Sequence, residues 1–338
     1  YGLVSEEAVF TFSVLPPWYR TTWSYMLYVI GFIFVVYIII RFSIRRVKQK
    51  NIHLEGIVKE RTKEVVIQKQ DAEKQRDIAE HQKELVEQAH REITDSINYA
   101  ERIQRSFLAT DDILDANLEE YFVFFQPKEV VSGDFYWADK LSNGNFAMVN
   151  ADSTGHGVPG AIMSILNISS IEKAVRLKFL EPYEIFNSTR KTIIERLKKD
   201  GSLEGGKDGM DASIICFDFE NNKFTYTAAQ NPIWVVRDGA LMEIKPEKMP
   251  VGKHDKDQIP FVGGVFEMKK GDVIYTLTDG FQDQFGGPKG KKFMVKKMRE
   301  YILSISHLPM KEQHTKISEV FSNWKGDTEQ VDDVCVIG

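Results

Sequence analysis

The sequence has only two cysteines in 338 residues, Cys216 and Cys335, and each stands inside an apolar, strand-like stretch. So few cysteines exclude a disulfide framework, and two buried thiols are typical of a protein in a reducing compartment. No cluster of cysteine and histidine has the spacing of a zinc site. The net charge of -5 gives no reason to expect a nucleic-acid partner.

Charge is absent from a stretch of 20 residues that begins at Thr21, TTWSYMLYVIGFIFVVYIII. At about 1.5 Å per residue, a helix of this length spans a hydrocarbon core of roughly 30 Å. Trp18 and Trp23 stand at one end, and a basic run begins with Arg41 at the other. We therefore predict a transmembrane helix over residues 21–42, with its basic end in the cytoplasm. A signal peptide is disfavoured because no small-residue cleavage site follows.

Residues 1–20 would then lie outside the cytoplasm. The stretch AVFTFSVLPPW alternates like the last strand of a β-domain and stops at Pro16-Pro17. It resembles the end of the three-tyrosine domain that follows sensor propellers in bacterial membrane receptors, so we expect residues 1–20 to end an extracytoplasmic β sensor domain. Because the chain begins with Tyr1 rather than methionine, we expect it to be part of a longer protein.

Proline is absent between Ile44 and Phe107, and Gly56 is the single glycine there. Every seventh residue from Ile44 is apolar in nine of ten places, and the exception is Asn51. The second seam series starts with apolar residues and then turns polar at Arg61, Gln68, Gln75 and Gln82. This half-polar heptad pattern predicts a coiled-coil signalling helix and linker over residues 43–108 that joins a homodimer. A single solvated helix is the alternative.

The segment AHREITDSI, residues 89–97, is similar to the phospho-acceptor box of sensor histidine kinases. A kinase also needs a nucleotide site, yet neither a Walker loop nor an Asp-x-Gly-x-Gly box after an Asn-rich helix follows in the sequence. His90 falls at an outer heptad position, so we expect it to face solvent. A sensor kinase fragment is therefore the less favoured hypothesis.

The rest of the chain consists of short alternating strands, turn signals and helical stretches. Asn143-Gly144 lies between DFYWADK and NFAMVNAD and predicts a two-residue hairpin turn. In that register Asp134 lies opposite Ser153 and diagonal to Asp152. Similar signals predict hairpins at Asn221-Asn222 and Asp238-Gly239, and Pro159 is expected in the first turn of a helix that begins there.

Aspartates stand at four strand ends, namely Asp134, Asp152, Asp279 and the pair Asp332-Asp333. If these ends converge in space, the like charges raise one another's pKa unless cations lie between them. A ligand set of carboxylates and a backbone carbonyl is typical of Mg²⁺ or Mn²⁺ rather than zinc. Two such ions can clamp a phosphate and activate a water molecule.

Four motifs, VVSGDFYW, ADSTGHGVPGAIMS, YTLTDGFQDQFG and DDVCVIG, occur in this order. They resemble the SpoIIE- and RsbU-type serine/threonine phosphatases of the metal-dependent PPM class. The resemblance covers residues 109–338 and implies an α+β fold, a four-layer α-β-β-α sandwich of two antiparallel sheets flanked by helices. It also implies two Mn²⁺ or Mg²⁺ ions held by Asp134, Asp152, the Ser153 carbonyl, Asp279 and Asp332.

Three residues near these motifs keep two interpretations each. His156, which we group with Asp134 and Asp152 as catalytic, is either a general acid or a structural residue. Lys128 either binds the incoming phosphate or is a surface lysine. Asp211 is either an auxiliary ligand or a turn residue, and only the first member of the Asp332-Asp333 pair is expected to bind metal.

The order of the transmembrane helix, the coiled-coil signalling helix (called the rod below) and the phosphatase domain predicts a bacterial receptor. It would cross the inner (cytoplasmic) membrane once, with its phosphatase domain in the cytoplasm. The resemblance implies a phosphoserine or phosphothreonine protein as substrate, such as a STAS-type antagonist of an anti-sigma factor. A catalytically silent module that binds a phosphoprotein is the alternative.

Overall fold

The computed structural model describes residues 10–15, 17–198 and 208–338 of the chain. The chain divides into two compact units, Tyr1–Gln88 and Ala89–Gly338.

The first unit contains a short 3₁₀ helix, Trp18–Arg20, followed by the helix α1, Thr22–Arg105, whose last turns belong to the second unit. Phe10 to Leu15 have no regular secondary structure, and the predicted last strand of a β sensor domain stays a prediction. A strand needs a neighbouring strand for its backbone hydrogen bonds, and these residues pair with none of the strands that the structure describes. Residues 1–9 and Pro16 of the predicted sensor-domain end lie outside the described residues.

The apolar start of α1 is long and apolar enough to cross a membrane. Further along the helix, the predicted seam residues Val58, Val65 and Val86 are exposed in this single chain. A helix of this kind gains little from burial within its own chain. The coiled coil and its homodimer therefore stay predictions.

The second unit contains the end of α1, six further helices and thirteen strands among the described residues. The helices are α2 (Asp111–Asp115), α3 (Gly157–Arg176), α4 (Pro182–Leu197), α5 (Gly280–Asp283), α6 (Val295–Ile305) and α7 (Met310–Lys325). The strands are β1 (Val123–Gln126), β2 (Asp134–Lys140), β3 (Phe146–Ser153), β4 (Gly209–Asp218), β5 (Lys223–Ala229), β6 (Ile233–Arg237), β7 (Ala240–Ile244), β8 (Val251–Gly252), β9 (Gly264–Glu267), β10 (Val273–Leu277), β11 (Phe285–Gly286), β12 (Lys291–Lys292) and β13 (Val334–Ile337).

Two antiparallel sheets form the middle of this unit. One has five strands in the order β1-β13-β10-β6-β7, and the other has the order β2-β3-β4-β5-β9 with β8 beside β4. Helices α3 and α4 pack on the second sheet, whereas α6 and α7 pack on the first. Met148 and Ile215 of one sheet meet Val235 and Cys335 of the other in the core between them. The predicted four-layer α-β-β-α sandwich is confirmed.

The hairpin between β2 and β3 has a different register from the predicted one. Asp134 pairs directly with Asp152, not with Ser153. The prediction failed because the loop has three residues: the backbone of Leu141 donates to the Asn145 carbonyl at 2.8 Å. Gly144 closes the loop with φ +93°, as the last residue of a three-residue hairpin loop commonly does.

Other local predictions agree with the structure more closely. Both cysteines are buried and free, as predicted. The hairpins at Asn221-Asn222 and Asp238-Gly239 form. Helix α3 begins at Gly157, two residues before the predicted start, so Pro159 lies within its first turn.

The predicted signalling helix and linker cover residues 43–108. Within this range helix α1 ends at Arg105. Leu108 is buried in the core beneath α3 and α4, and Phe107 packs against that core. These two side chains therefore pack with the second unit.

Candidate active site

Three aspartates lie side by side across three neighbouring strands. Asp134 of β2 pairs with Asp152 of β3, and Asp152 pairs with Asp211 of β4. Directly paired residues place their side chains on the same face of a sheet, roughly 5 Å apart. The expectation of Asp211 as a turn residue is wrong, because β4 begins two residues earlier, at Gly209.

The facing sheet contributes further carboxylates at the same edge. Asp279 follows β10 and is the N-cap of α5, and Asp332 precedes β13. Asp152, Asp211 and Asp332 line an open pocket of about 290 Å³. The other lining residues are Ser153, Thr154, Gly155, His156, Met210 and Pro250.

The crowding of negative charge changes the acidity of these groups. Burial, followed by the charge of Asp152, raises the pKa of Asp134 well above its ordinary value. Burial, followed by the charges of Asp279 and Asp332, does the same to the pKa of Asp152. Burial and the charge of Asp279 raise the pKa of Asp211 to about 6. Ionised together, these carboxylates destabilise the fold unless positive charge is supplied.

Thr278 ties Asp134 to the opposite sheet. Its hydroxyl donates to an Asp134 carboxylate oxygen at 2.6 Å and accepts the backbone N–H of Cys335 at 2.9 Å. All three residues are buried. This threonine stands in the motif YTLTDGFQDQFG, but the sequence does not predict its role, since nothing local distinguishes it from a strand residue.

Backbone segments approach one another closely beside these aspartates. A Cβ atom on Gly133 would lie 2.2 Å from the Gly155 carbonyl oxygen and 3.0 Å from that of Ser153. Only glycine fits at this position, which explains the small residues around Asp134 and Asp152. Ser153 itself is buried, and its hydroxyl accepts the Asn167 side-chain amide at 3.0 Å.

Asp332 and Asp333 are adjacent but have different surroundings. Asp333 is buried, and its two carboxylate oxygens accept the backbone N–H groups of Lys128 and Gly133, each at 2.7 Å. It holds the loop between β1 and β2. Asp332 instead lines the pocket, so only the first aspartate of the pair has a carboxylate that faces a ligand space.

His156 lines the pocket and contacts two residues of the loop between β1 and β2. Its Nδ1 lies 2.8 Å from Oε1 of Glu129, and its Nε2 lies 3.5 Å from Nζ of Lys128. The imidazole and the Glu129 carboxylate are each about half exposed. Because Lys128 contacts His156, it lies at the rim of the pocket. The sequence did not predict the contact of Glu129, because 27 residues separate it from its partner His156.

The end of α1 contacts the same loop from behind. The Gln104 side chain accepts the Ser132 backbone N–H at 3.1 Å, donates to the Ser132 carbonyl and donates to the Ser164 hydroxyl of α3 at 2.8 Å. Gln104 is 3% exposed. The sequence offered no signal for this residue, because a glutamine in a charged helix predicts a solvent-facing side chain. His90, further back on α1, is exposed as predicted.

The donor chemistry fits hard divalent cations. The carboxylates supply oxygen ligands, burial and the neighbouring negative charges raise the pKa values of Asp134 and Asp152, and the pocket lies open beside them. Within the ranges that the structure describes, no three acidic, histidine or cysteine side chains converge as a complete ligand set around one point. The carboxylates are therefore close together but are not arranged around one point. Small side-chain movements would be needed for them to coordinate an ion.

The comparison with protein families decides the identity of this unit. The family model described as Stage II sporulation protein E (SpoIIE) matches residues 142–338, more than half of the chain. The chain belongs to the SpoIIE family. The match begins after Asp134, which our sequence analysis places in the first of the four motifs.

Solved structures agree with this assignment. The SiaA-PP2C domain of Pseudomonas aeruginosa is 25% identical, with a TM-score of 0.66, and the match covers 74% of this chain and 97% of that one. The PP2C phosphatase domain of SpoIIE from Bacillus subtilis is 18% identical, with a TM-score of 0.51 and coverage of 64% and 61%. The RsbU and RsbW domains of Rv1364c from Mycobacterium tuberculosis are 18% identical, with a TM-score of 0.50 and coverage of 64% and 58%.

These matches confirm the predicted class of the domain. It is a PP2C-type serine/threonine phosphatase domain of the SpoIIE family. The two more distant structures support the fold alone. No curated protein sequence matches the chain.

Proposed function

We propose that the SpoIIE-family domain hydrolyses phosphoserine or phosphothreonine in a protein substrate and that it depends on two Mn²⁺ or Mg²⁺ ions. The observation that supports this proposal is the row Asp134, Asp152 and Asp211, with its raised pKa values, at the edge where Asp279 and Asp332 also lie. A buried group of like charges costs folding free energy, and bound cations would offset that cost.

The proposed ligands are the side chains of Asp134, Asp152, Asp279 and Asp332 and the backbone carbonyl of Ser153. Asp211 lies next to Asp152 and can join them, whereas Asp333 holds the loop between β1 and β2. Bound Mn²⁺ or Mg²⁺ would supply an activated water and balance the charge of the phosphate. Thr278 keeps Asp134 oriented through its hydrogen bond.

The protein's own residues at the rim would act on the substrate directly. Lys128 lies close enough to His156 to meet the same phosphoryl group with its ammonium charge. We assign His156 as the proton donor for the leaving serine or threonine oxygen. Asp152 lines the same pocket and Asp134 is paired with it on the neighbouring strand, so both would act from the metal side.

The test is hydrolysis of p-nitrophenyl phosphate and a phosphoserine peptide by the full chain in detergent, with and without Mn²⁺. We expect turnover of both substrates with Mn²⁺ and its loss in excess chelator. Robust turnover in chelator would overturn the metal-dependent mechanism. Binding of a phosphopeptide without turnover would instead support the silent binding module.

We also place this domain in a membrane receptor. The apolar start of α1 would anchor the chain once in the inner (cytoplasmic) membrane, with the phosphatase domain in the cytoplasm, and the rod would join two copies as a homodimer. A STAS-type antagonist of an anti-sigma factor is the proposed class of substrate. Cysteine crosslinking along residues 43–88 in native membranes tests the homodimer, and absence of any crosslinked pair would contradict it.

A further inference from the structure

Glu129 lies in the loop between β1 and β2 and reaches the start of α3, where its carboxylate oxygen is 2.8 Å from Nδ1 of His156. We infer that Glu129 is a positioning residue: it orients the His156 imidazole so that the opposite ring nitrogen, Nε2, delivers the proton to the leaving oxygen. This inference rests on the proposed phosphatase function and adds a residue that none of the sequence motifs distinguishes.

The local backbone reserves space for the Glu129 carboxylate. Gly157 is the first residue of α3, with φ +61°, and a Cβ atom there would lie 2.5 Å from Oε2 of Glu129. The carboxylate therefore lies against the N-terminus of a 20-residue helix, where the helix dipole favours a negative charge. This arrangement holds the carboxylate in place from a second side.

The same geometry selects the ring nitrogen that can meet substrate. His156 is the N-cap residue of α3, but its side chain makes no capping hydrogen bond. Because a carboxylate accepts, Nδ1 carries a proton and donates to Glu129. The Nε2 atom lies 3.5 Å from the Lys128 ammonium, on a residue that lines the pocket together with Asp152 and Asp332. Because an ammonium can only donate, Nε2 accepts in this structure and takes up a proton before it can deliver one.

The proposed step replaces one bond to phosphorus by another. The water oxygen forms a bond to phosphorus while the bond from phosphorus to the seryl oxygen breaks, and the electron pair of that bond stays on the seryl oxygen. That oxygen takes the Nε2 proton of the imidazolium, and the attacking water releases a proton to solvent. The imidazole is then neutral. Its Nδ1 keeps its proton, which remains hydrogen-bonded to Glu129, and its Nε2 regains a proton from solvent.

The two substrates differ in their need for this proton. A serine alkoxide is a strong base and a poor leaving group, whereas p-nitrophenolate is a stable anion that departs without protonation. A residue that orients a proton donor should therefore affect phosphoserine hydrolysis and leave p-nitrophenyl phosphate hydrolysis nearly unchanged. A residue that only supports the fold should affect both reactions alike.

The experiment compares Glu129→Ala, His156→Ala and the double variant in the full chain in detergent with Mn²⁺. We expect His156→Ala to lower kcat on a phosphoserine peptide roughly 100-fold and Glu129→Ala roughly 10-fold, with kcat on p-nitrophenyl phosphate within about twofold of wild type. Glu129→Gln keeps an accepting oxygen and should recover most of the activity. The double variant should be no slower than His156→Ala, since Glu129 acts through the imidazole.

Glu172→Ala is the matched control, because this glutamate also pairs with a neighbouring cation, Arg176, but further along α3. It should leave both reactions unchanged. Equal losses on both substrates in Glu129→Ala, or no loss on either, would overturn the positioning role, as would a double variant slower than His156→Ala. Wild-type turnover of both substrates keeps the proposed function intact in each of these cases, whereas a wild type inactive on both would overturn the proposed function itself.

Discussion

The long helix α1 and the phosphatase domain differ in where their apolar side chains lie. Along the rod, Val58, Val65 and Val86 are 61 to 68% exposed, whereas Phe135 and Ile214 in the domain are fully buried. The domain contains the partners for its own apolar residues. The rod shows an apolar seam whose partner, a second helix, would have to come from another chain. We therefore expect substitutions inside the domain to change the domain's own stability and activity. Substitutions along the rod should instead act through its contacts with a second helix.

The largest expected effect is in the buried carboxylates of the domain. Asp152→Asn should lower the Mn²⁺-dependent kcat at least about 100-fold, because it removes a charge from the proposed metal site. It should also raise the melting temperature of the chelated protein, since Asp152 is repelled by Asp279 and Asp332. Enzyme kinetics and calorimetry on one preparation measure both. If the variant keeps the wild-type activity, Asp152 is not one of the proposed metal ligands.

The next effect concerns Asp333, the buried partner of two backbone N–H groups. Asp333→Ala leaves the N–H groups of Lys128 and Gly133 without an acceptor, and we expect a loss of about 2–4 kcal/mol in the free energy of unfolding. Denaturant titration measures it. Glu329→Ala, at an exposed site nearby, is the control and should change the midpoint very little. A similar midpoint for both variants would contradict the structural role.

A smaller effect comes from Asp211, whose pKa is raised to about 6. Because the raised pKa favours the protonated acid in the folded state, Asp211 costs stability as the pH rises from about 4 through 6. In chelator, Asp211→Asn should be more stable than wild type by on the order of 2 kcal/mol at pH 7. Melting temperatures across this pH range should show the difference vanish near pH 4. A difference that persists at pH 4 would assign it to packing instead.

Substitutions in the rod should have the smallest effect on the domain itself. Replacing Gln68, Gln75 and Gln82 with leucine completes the apolar seam and should tighten dimerisation and freeze one register. If the rod transmits a signal by changing its register or twist, the activity in membranes should be locked at one level, high or low. Phosphatase rates with and without stimulus measure this.

The unfolding midpoint of the domain should stay that of wild type in this triple variant, which is the control for an indirect effect. Crosslinking shows whether the dimer has tightened. A variant that crosslinks tightly and still responds fully to the stimulus would make the rod a passive spacer.

The predicted ligands show how far local patterns reach. Asp134 and Asp152 were recognised as neighbours because a hairpin signal stands between them, yet their register was wrong by one residue. That error came from Gly144, whose left-handed conformation produces a three-residue loop in place of a two-residue turn. The sequence leaves Asp211 as either an auxiliary ligand or a turn residue, because no local pattern marks Gly209 as the start of β4. Short-range patterns thus predict which stretches form strands better than they predict where those strands begin and end.

What the sequence determined by itself is the order of the parts: a charge-free stretch of 20 residues, a heptad pattern and four motifs that resemble those of the SpoIIE- and RsbU-type phosphatases. What only the tertiary structure decided is which polar groups meet. Glu129 contacts His156 across 27 residues, Gln104 contacts Ser132 across 28, and Asp333 contacts Lys128 across 205. Periodicity and turn chemistry act over a few residues, whereas these contacts exist because two sheets pack face to face and bring distant loops to one edge.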